Sequence, residues 1–206
     1  MEQRDNYAIA AAQARRLFAG YDHQALARKL GAQMDETFFY TKMLSTPYRI
    51  CLATGDISAL VGGVWQSVVG FNESLTLLDL VCDSREDRSI SGKWRNMADF
   101  GHQFHQVMLG AADPWARFLQ DNPERLETAC GAMNAWEYPL KDKAYVIPLF
   151  EKLSVMLKLV YGDDEFPPAV YWFWDENALQ YLKYETMYYA VNMIRAALDE
   201  KMESGC

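Results

Sequence analysis

The sequence predicts an α+β fold built on a largely antiparallel sheet, and three observations lead there. Helical periodicity marks both ends and the middle of the chain. Short strand-like runs joined by tight turns lie between those segments. From Asp175 to Glu200 neither glycine nor proline interrupts a final helical stretch. Strands that run together, rather than alternating one for one with helices, favour antiparallel pairing. There is no internal repeat, low-complexity tract or linker, so residues 1–206 read as a single domain whose tail, 201–206, is expected to fray.

In chain order, Arg4 to Ala19 sets Tyr7, Ala11, Ala14 and Phe18 on one helical stripe, with Gly20 placed to end it. Asp22 is positioned to cap a second short helix carrying Leu26 and Leu30, which Gly31 stops. From Glu36 the period changes. Thr37 to Leu44 and Tyr48 to Ala53 suit a hairpin turning at Ser45, Thr46 and Pro47, whereas Ile57 to Trp65 is ambiguous because Gly62 and Gly63 interrupt it. Asn72 is the expected cap of an apolar helix running to Cys82 with Leu75, Leu77, Leu78, Leu80 and Val81, too hydrophobic to lie on a surface. Asp83 to Gly92 reads as a charged, solvated connection. Asp113–Pro114 and Asn122–Pro123 are two helix starts with the same grammar, a capping side chain followed by proline in the first helical position.

The stretch Leu153 to Asp175 anchors the rest. Leu153, Val155, Leu157 and Leu159 alternate with Ser154 and Lys158, as in a strand with one buried side, while Val170 to Trp174 is apolar on both faces and is expected to be covered on both. Gly162, Pro167 and Pro168 punctuate the turn between them. Asp175 then has the position of an N-cap for the final helix, on which Leu179, Leu182, Thr186, Tyr189, Met193 and Ala197 trace the buried stripe.

Composition excludes several function classes. The chain is 50% hydrophobic and 14% aromatic over 206 residues, enough to bury roughly 70% of its unfolded surface without a staple. The net charge of −8, with 20 dispersed basic residues, argues against nucleic-acid binding. No apolar run approaches the length of a membrane span, and the charged N-terminus does not resemble a secretion signal. Cys51, Cys82, Cys130 and Cys206 are scattered without a CxxC pair, which favours free thiols in a cytoplasmic protein over a zinc or iron–sulfur site. No cofactor is expected.

Three features carry candidate chemistry. Asp163, Asp164 and Glu165 gather carboxylates in one turn, the ligand type that hard cations require, although acidic turns are more often local structure or solvated loop. Asp175 joins them only if the turn folds back. His102 and His105 lie three apart, a spacing that brings two side chains to one helix face; they read first as a surface pair and second as metal ligands. Tyr171, Trp172, Phe173 and Trp174, with Tyr181, Tyr184, Tyr188 and Tyr189, concentrate aromatic surface for a core or a partner. No GxSxG elbow or nucleophile with a recognisable base occurs.

The string GDDEFPP, from Gly162 to Pro168, followed by a short apolar strand ending at Asp175 and then a helix, resembles a bacterial and archaeal family of domains of unknown function, often from anaerobes. A looser resemblance reaches back through Tyr48 to Ala53 and covers most of the chain. It implies a shared fold but no established activity, so no catalytic residues transfer. Some relatives are fused to iron–sulfur segments, from which this chain departs by having no clustered cysteines. The GGDEF hairpin of diguanylate cyclases differs more, since Tyr161 stands in place of its first glycine and two prolines follow directly. The expected function is a non-catalytic accessory domain binding a small molecule or a protein partner. The alternative is a metal-dependent enzyme using residues 163–165.

Overall fold

The computed structural model describes residues 6–101 and 113–204. Of these, the residues up to Arg88 together with Gln180–Ala190 gather into one compact unit; Ser89–Leu179 and the stretch from Val191 onward form a second. Both are α+β, and the pairing is antiparallel throughout, in two five-stranded sheets where the sequence suggested one.

The first unit opens with α1 (Asn6–Ala19) and α2 (His23–Leu30). Asp22 caps α2 as its position implies, accepting from the Ala25 amide at 2.9 Å, and Gly31 closes it. A meander follows in which β1 (Gln33–Met34), β2 (Phe38–Met43), β3 (Thr46–Cys51), β4 (Ile57–Val61) and β5 (Val64–Ser67) lie side by side in chain order. The first hairpin turns at Leu44 and Ser45, at φ 48° and 66°, so Thr46 and Pro47 belong to β3 rather than to the turn. Gly62 and Gly63 do the same between β4 and β5. Two successive residues at positive φ make the tight turn whose twist matches an antiparallel pair, which resolves the ambiguous segment into two strands. α3 (Phe71–Cys82) packs on α1 and α2, with seven of its residues buried. It starts two residues ahead of the expected Asn72 cap, because Gly70 is the N-cap and its carbonyl accepts from the Ser74 amide.

The second unit contains β6 (Trp94–Asn96), α4 (Pro114–Asp121), α5 (Pro123–Ala132), β7 (Trp136–Glu137), β8 (Lys143–Phe150), β9 (Leu153–Val160) and β10 (Ala169–Asp175). Its sheet runs β6-β10-β9-β8-β7, and α4 lies against β9 and β10. Asp113 caps α4 through the Trp115 amide. Asn122 does not cap α5 with its side chain; it donates back to the Phe118 carbonyl and so closes α4. Leu153, Val155, Leu157 and Leu159 are buried, as their alternation predicts. β10 departs from expectation: Trp172 and Trp174 are buried, but Tyr171 is 41% exposed. On the other face of this sheet Ala144, Val146 and Met156 form a buried cluster, against which Trp94, Tyr138 and Phe173 pack.

The last helix, α6 (Tyr184–Ser204), brings the main correction. Asp175 does not cap it. The residue ends β10, paired with Trp94, and a turn and a short 3₁₀ segment at Ala178–Gln180 intervene before α6 begins. Of the expected stripe Thr186 and Met193 are buried on α6 and Leu182 just ahead of it, joined by Met187, Ala190, Val191, Ile194, Leu198 and Met202; Tyr189 and Ala197 are partly exposed, and Leu179 precedes the helix and is half exposed. Among the described residues no helix is long and apolar enough to cross a membrane.

The β9–β10 connection is locked rather than loose. The Gly162 amide donates to Gln120 Oε1 of α4 at 2.7 Å, and the Asp163 amide donates to the Phe166 carbonyl at 2.9 Å. A Cβ on Gly162 would stand 2.6 Å from both the nitrogen and Cδ of Pro168, atoms of a ring that has no rotamer to move to. Gly162→Ala is therefore expected to cost about 2 kcal/mol, read as a lower denaturant midpoint; an unchanged midpoint would mean that the proline ring yields freely.

Candidate functional site

The acidic turn is organised by its own backbone. Asp163 Oδ1 accepts from the amides of Glu165 and Phe166 at 2.9 and 2.8 Å, and these two bonds hold its carboxyl below the ordinary aspartate range. Asp164 and Glu165 are exposed beside it. The turn thus brings three carboxylates together but commits one oxygen to local structure. Asp175 is not brought to them. It lies at the far end of the seven-residue β10, about 20 Å along the strand. Only 4% exposed, its carboxylate accepts from the amides of Ser91, Gly92 and Asn177 at 3.0, 2.8 and 2.9 Å, tying Ser91 and Gly92 to the strand end. His102 and His105 lie outside the described residues. Among the described residues no group of three or more His, Cys, Asp or Glu side chains is arranged to hold a metal ion.

A richer convergence lies in the first unit. Asp79 on α3 and Asp83, the C-cap of that helix, stand four apart and so fall on one face. Lys183 bridges them, its ammonium donating to Asp79 Oδ1 at 2.9 Å and to Asp83 Oδ2. The Lys183 amide donates to Asp79 Oδ2 at 2.8 Å, and the Lys183 carbonyl accepts from the Met187 amide, so a carboxylate from α3 caps the start of α6. The Thr186 hydroxyl also bonds Asp79, and the Tyr21 hydroxyl reaches Asp83 Oδ1 at 3.4 Å.

Burial sets the electrostatics. It pushes the Asp79 carboxyl above the usual range, and the hydrogen bond shared with Asp83 adds to this against the opposing Thr186 and Lys183 donors. For Asp83 burial acts upward too, but the Asp79, Lys183 and Tyr21 donors bring it below its ordinary value. The two carboxyls titrate together, Asp79 above and Asp83 below the ordinary aspartate value. Burial opposes the Lys183 ammonium, yet the two carboxylates outweigh it and raise its pKa. Cys82, beside them, is pushed up to about 12 by burial and then by the Asp83 charge, which keeps it a thiol near neutral pH.

These groups line a groove of about 270 Å³ together with Ala14, Leu17, Leu75, Leu78 and Tyr189. A groove that joins apolar walls to a charged cluster can hold an amphipathic molecule in a single orientation. No motif marks these residues in the sequence. The available signal was Asp79 itself, an acid set among Leu77, Leu78, Leu80 and Val81, where only a partnered carboxylate is tolerated.

The family model described as Domain of unknown function (DUF3786) matches residues 22–197. The chain belongs to this family. The DUF3786 match takes in Asp79, Asp83, Lys183, Asp175 and the turn at 163–165, and leaves out Ala14, Leu17 and Tyr21 of the groove. No curated protein and no solved structure matches the chain.

Two expectations follow. Asp175→Ala strips three amides of their buried acceptor and should cost about 3 kcal/mol in chemical denaturation, while Asp164→Ala should stay within about 0.5 kcal/mol. Equal effects would show that Asp175 does not organise its loop. The second concerns pH. Asp83, depressed in the folded state, contributes stability above its unfolded value near pH 4, and that contribution is lost as pH falls through the folded value. Asp79, raised when folded, acts in the opposite sense and loses its contribution as pH rises from that same unfolded value through the higher folded one. Asp83→Asn should therefore flatten the fall in Tm between about pH 4 and 2, measured by calorimetry; a slope equal to that of the wild type would place the acid sensitivity elsewhere.

Proposed function

We propose that the protein is a cytoplasmic, non-catalytic ligand-binding accessory domain whose site is the groove lined by Ala14, Leu17, Leu75 and Leu78 and closed by Asp79, Asp83 and Lys183. The observation that carries this reading is the groove itself, in which apolar walls meet a paired, partly buried charge cluster. Its volume, about 270 Å³, falls just under the usual range for drug-sized ligands, so a metabolite-sized molecule fits better than a large cofactor. Binding suits the residues better than covalent chemistry does, since Cys82 is held as a thiol and Tyr21 is raised by burial and by Asp83. The acidic turn fits less well, because Asp163 is already engaged with two amides. Unpaired Cys51, Cys82 and Cys130 suit a reducing compartment.

The test is a thermal-shift panel of small metabolites run on the wild type and on Ala14→Trp, which fills the groove from the α1 side. A true ligand at a hundred times its Kd stabilises the native state by about 2.7 kcal/mol. That shift should appear in the wild type and shrink in the filled variant. If no compound shifts the wild type, or if every shift survives the filling, the groove is not the site.

A further inference from the structure

The charge balance of the groove also selects the chemical class of its ligand. Asp79, Asp83 and Glu185 face one cationic side chain, Lys183, so the lining carries an excess of carboxylate even when the Asp79–Asp83 pair holds one proton. Among the described residues that line the groove the ammonium is that of Lys183, while Lys29 beside it is engaged with the Cys82 and Ser84 carbonyls; the Lys183 side chain is 63% exposed, whereas Asp79, which it contacts, is 6% exposed. Its Nζ can leave for water while its backbone amide goes on donating to Asp79 Oδ2, so swinging the arm away does not remove the cap of α6. The vacated position, between Asp79 Oδ1 and Asp83 Oδ2, is then a two-carboxylate seat in the lining of a groove that also carries Leu17, Leu75 and Leu78.

Resting on the ligand-binding reading above, we infer that the groove takes a small amphipathic primary amine, whose ammonium replaces the Lys183 Nζ between Asp79 and Asp83 while its apolar body lies along Leu75, Leu78 and Leu17. An ammonium supplies three donors, matching the two carboxylates and leaving one for water. A carboxylate or phosphate ligand would instead meet Asp83 and Glu185 as like charges, with Lys183 already engaged. Lys183 is on this view a built-in competitor: it neutralises the seat when the groove is empty, and its displacement sets the affinity.

Three isosteric probes test this directly by thermal shift and calorimetric titration at neutral pH: hexylamine, hexanol and hexanoate. Hexylamine should stabilise the wild type, and hexanoate should not. Asp83→Asn, which leaves the Asp79 cap of α6 in place, should weaken hexylamine binding about tenfold. Lys183→Met removes the competitor and should strengthen hexylamine binding while lowering the Tm of the empty protein, so that the amine rescues the variant. Hexanoate binding in preference to hexylamine, undiminished amine binding by Asp83→Asn, or weaker amine binding by Lys183→Met would each overturn the inference. If the metabolite panel yields neutral or anionic ligands sensitive to Ala14→Trp and no amine binds, the inference fails while the ligand-binding reading stands; if nothing binds in the groove at all, both fail.

Discussion

A carboxylate on the enclosed face of an apolar helix has to be neutralised where it stands, and Asp79 is that carboxylate. Leu77, Leu78, Leu80 and Val81 bury α3 on most sides, so Asp79, 7% exposed in the groove lining, meets little water. Its partners must come from elsewhere in the chain, and they come from more than a hundred residues away: the amide and ammonium of Lys183, with the hydroxyl of Thr186. This one requirement determines where α6 begins. An isolated helix would start wherever its own sequence offered a cap, and Asp175 offers one. The chain instead continues through a turn and a 3₁₀ segment and starts the helix where Asp79 supplies the acceptor.

The same interaction shapes the groove. Because Asp79 holds the backbone of Lys183, the lysine ammonium stands between Asp79 and Asp83 in the groove lining and neutralises the pair. The two oxygens of Asp79 have different partners: Oδ2 takes the α6 amide and Oδ1 faces the ammonium. The amine ligand proposed above would compete for the second contact and leave the first in place.

The second unit solves a parallel problem at Asp175, with a different result. There a buried carboxylate is satisfied wholly by backbone amides, from Ser91, Gly92 and Asn177, and none of its bonds involves an exposed, exchangeable group. The GDDEFPP turn is similar in kind, with Asp163 bonded to the amides of its own loop and Gly162 pressed against Pro168. The most recognisable string in the sequence is thus occupied in making a rigid turn, whereas the groove is assembled from residues that no string contains.

What the sequence determined by itself is local. The Asp22 and Asp113 caps, the alternation of β9, the proline-locked turn and the enclosure of α3 follow from spacing and side-chain chemistry within a few residues, where backbone hydrogen bonding and burial periodicity act directly. Tertiary structure decided the rest: that two sheets form, that β10 exposes Tyr171, that α6 starts at Tyr184, and that Asp79, Asp83 and Lys183 converge. The reason is common to all four. A buried polar group or an uncovered sheet face is settled by whichever partner folding brings to it, and a partner a hundred residues distant leaves no periodic trace in the sequence around either member of the pair.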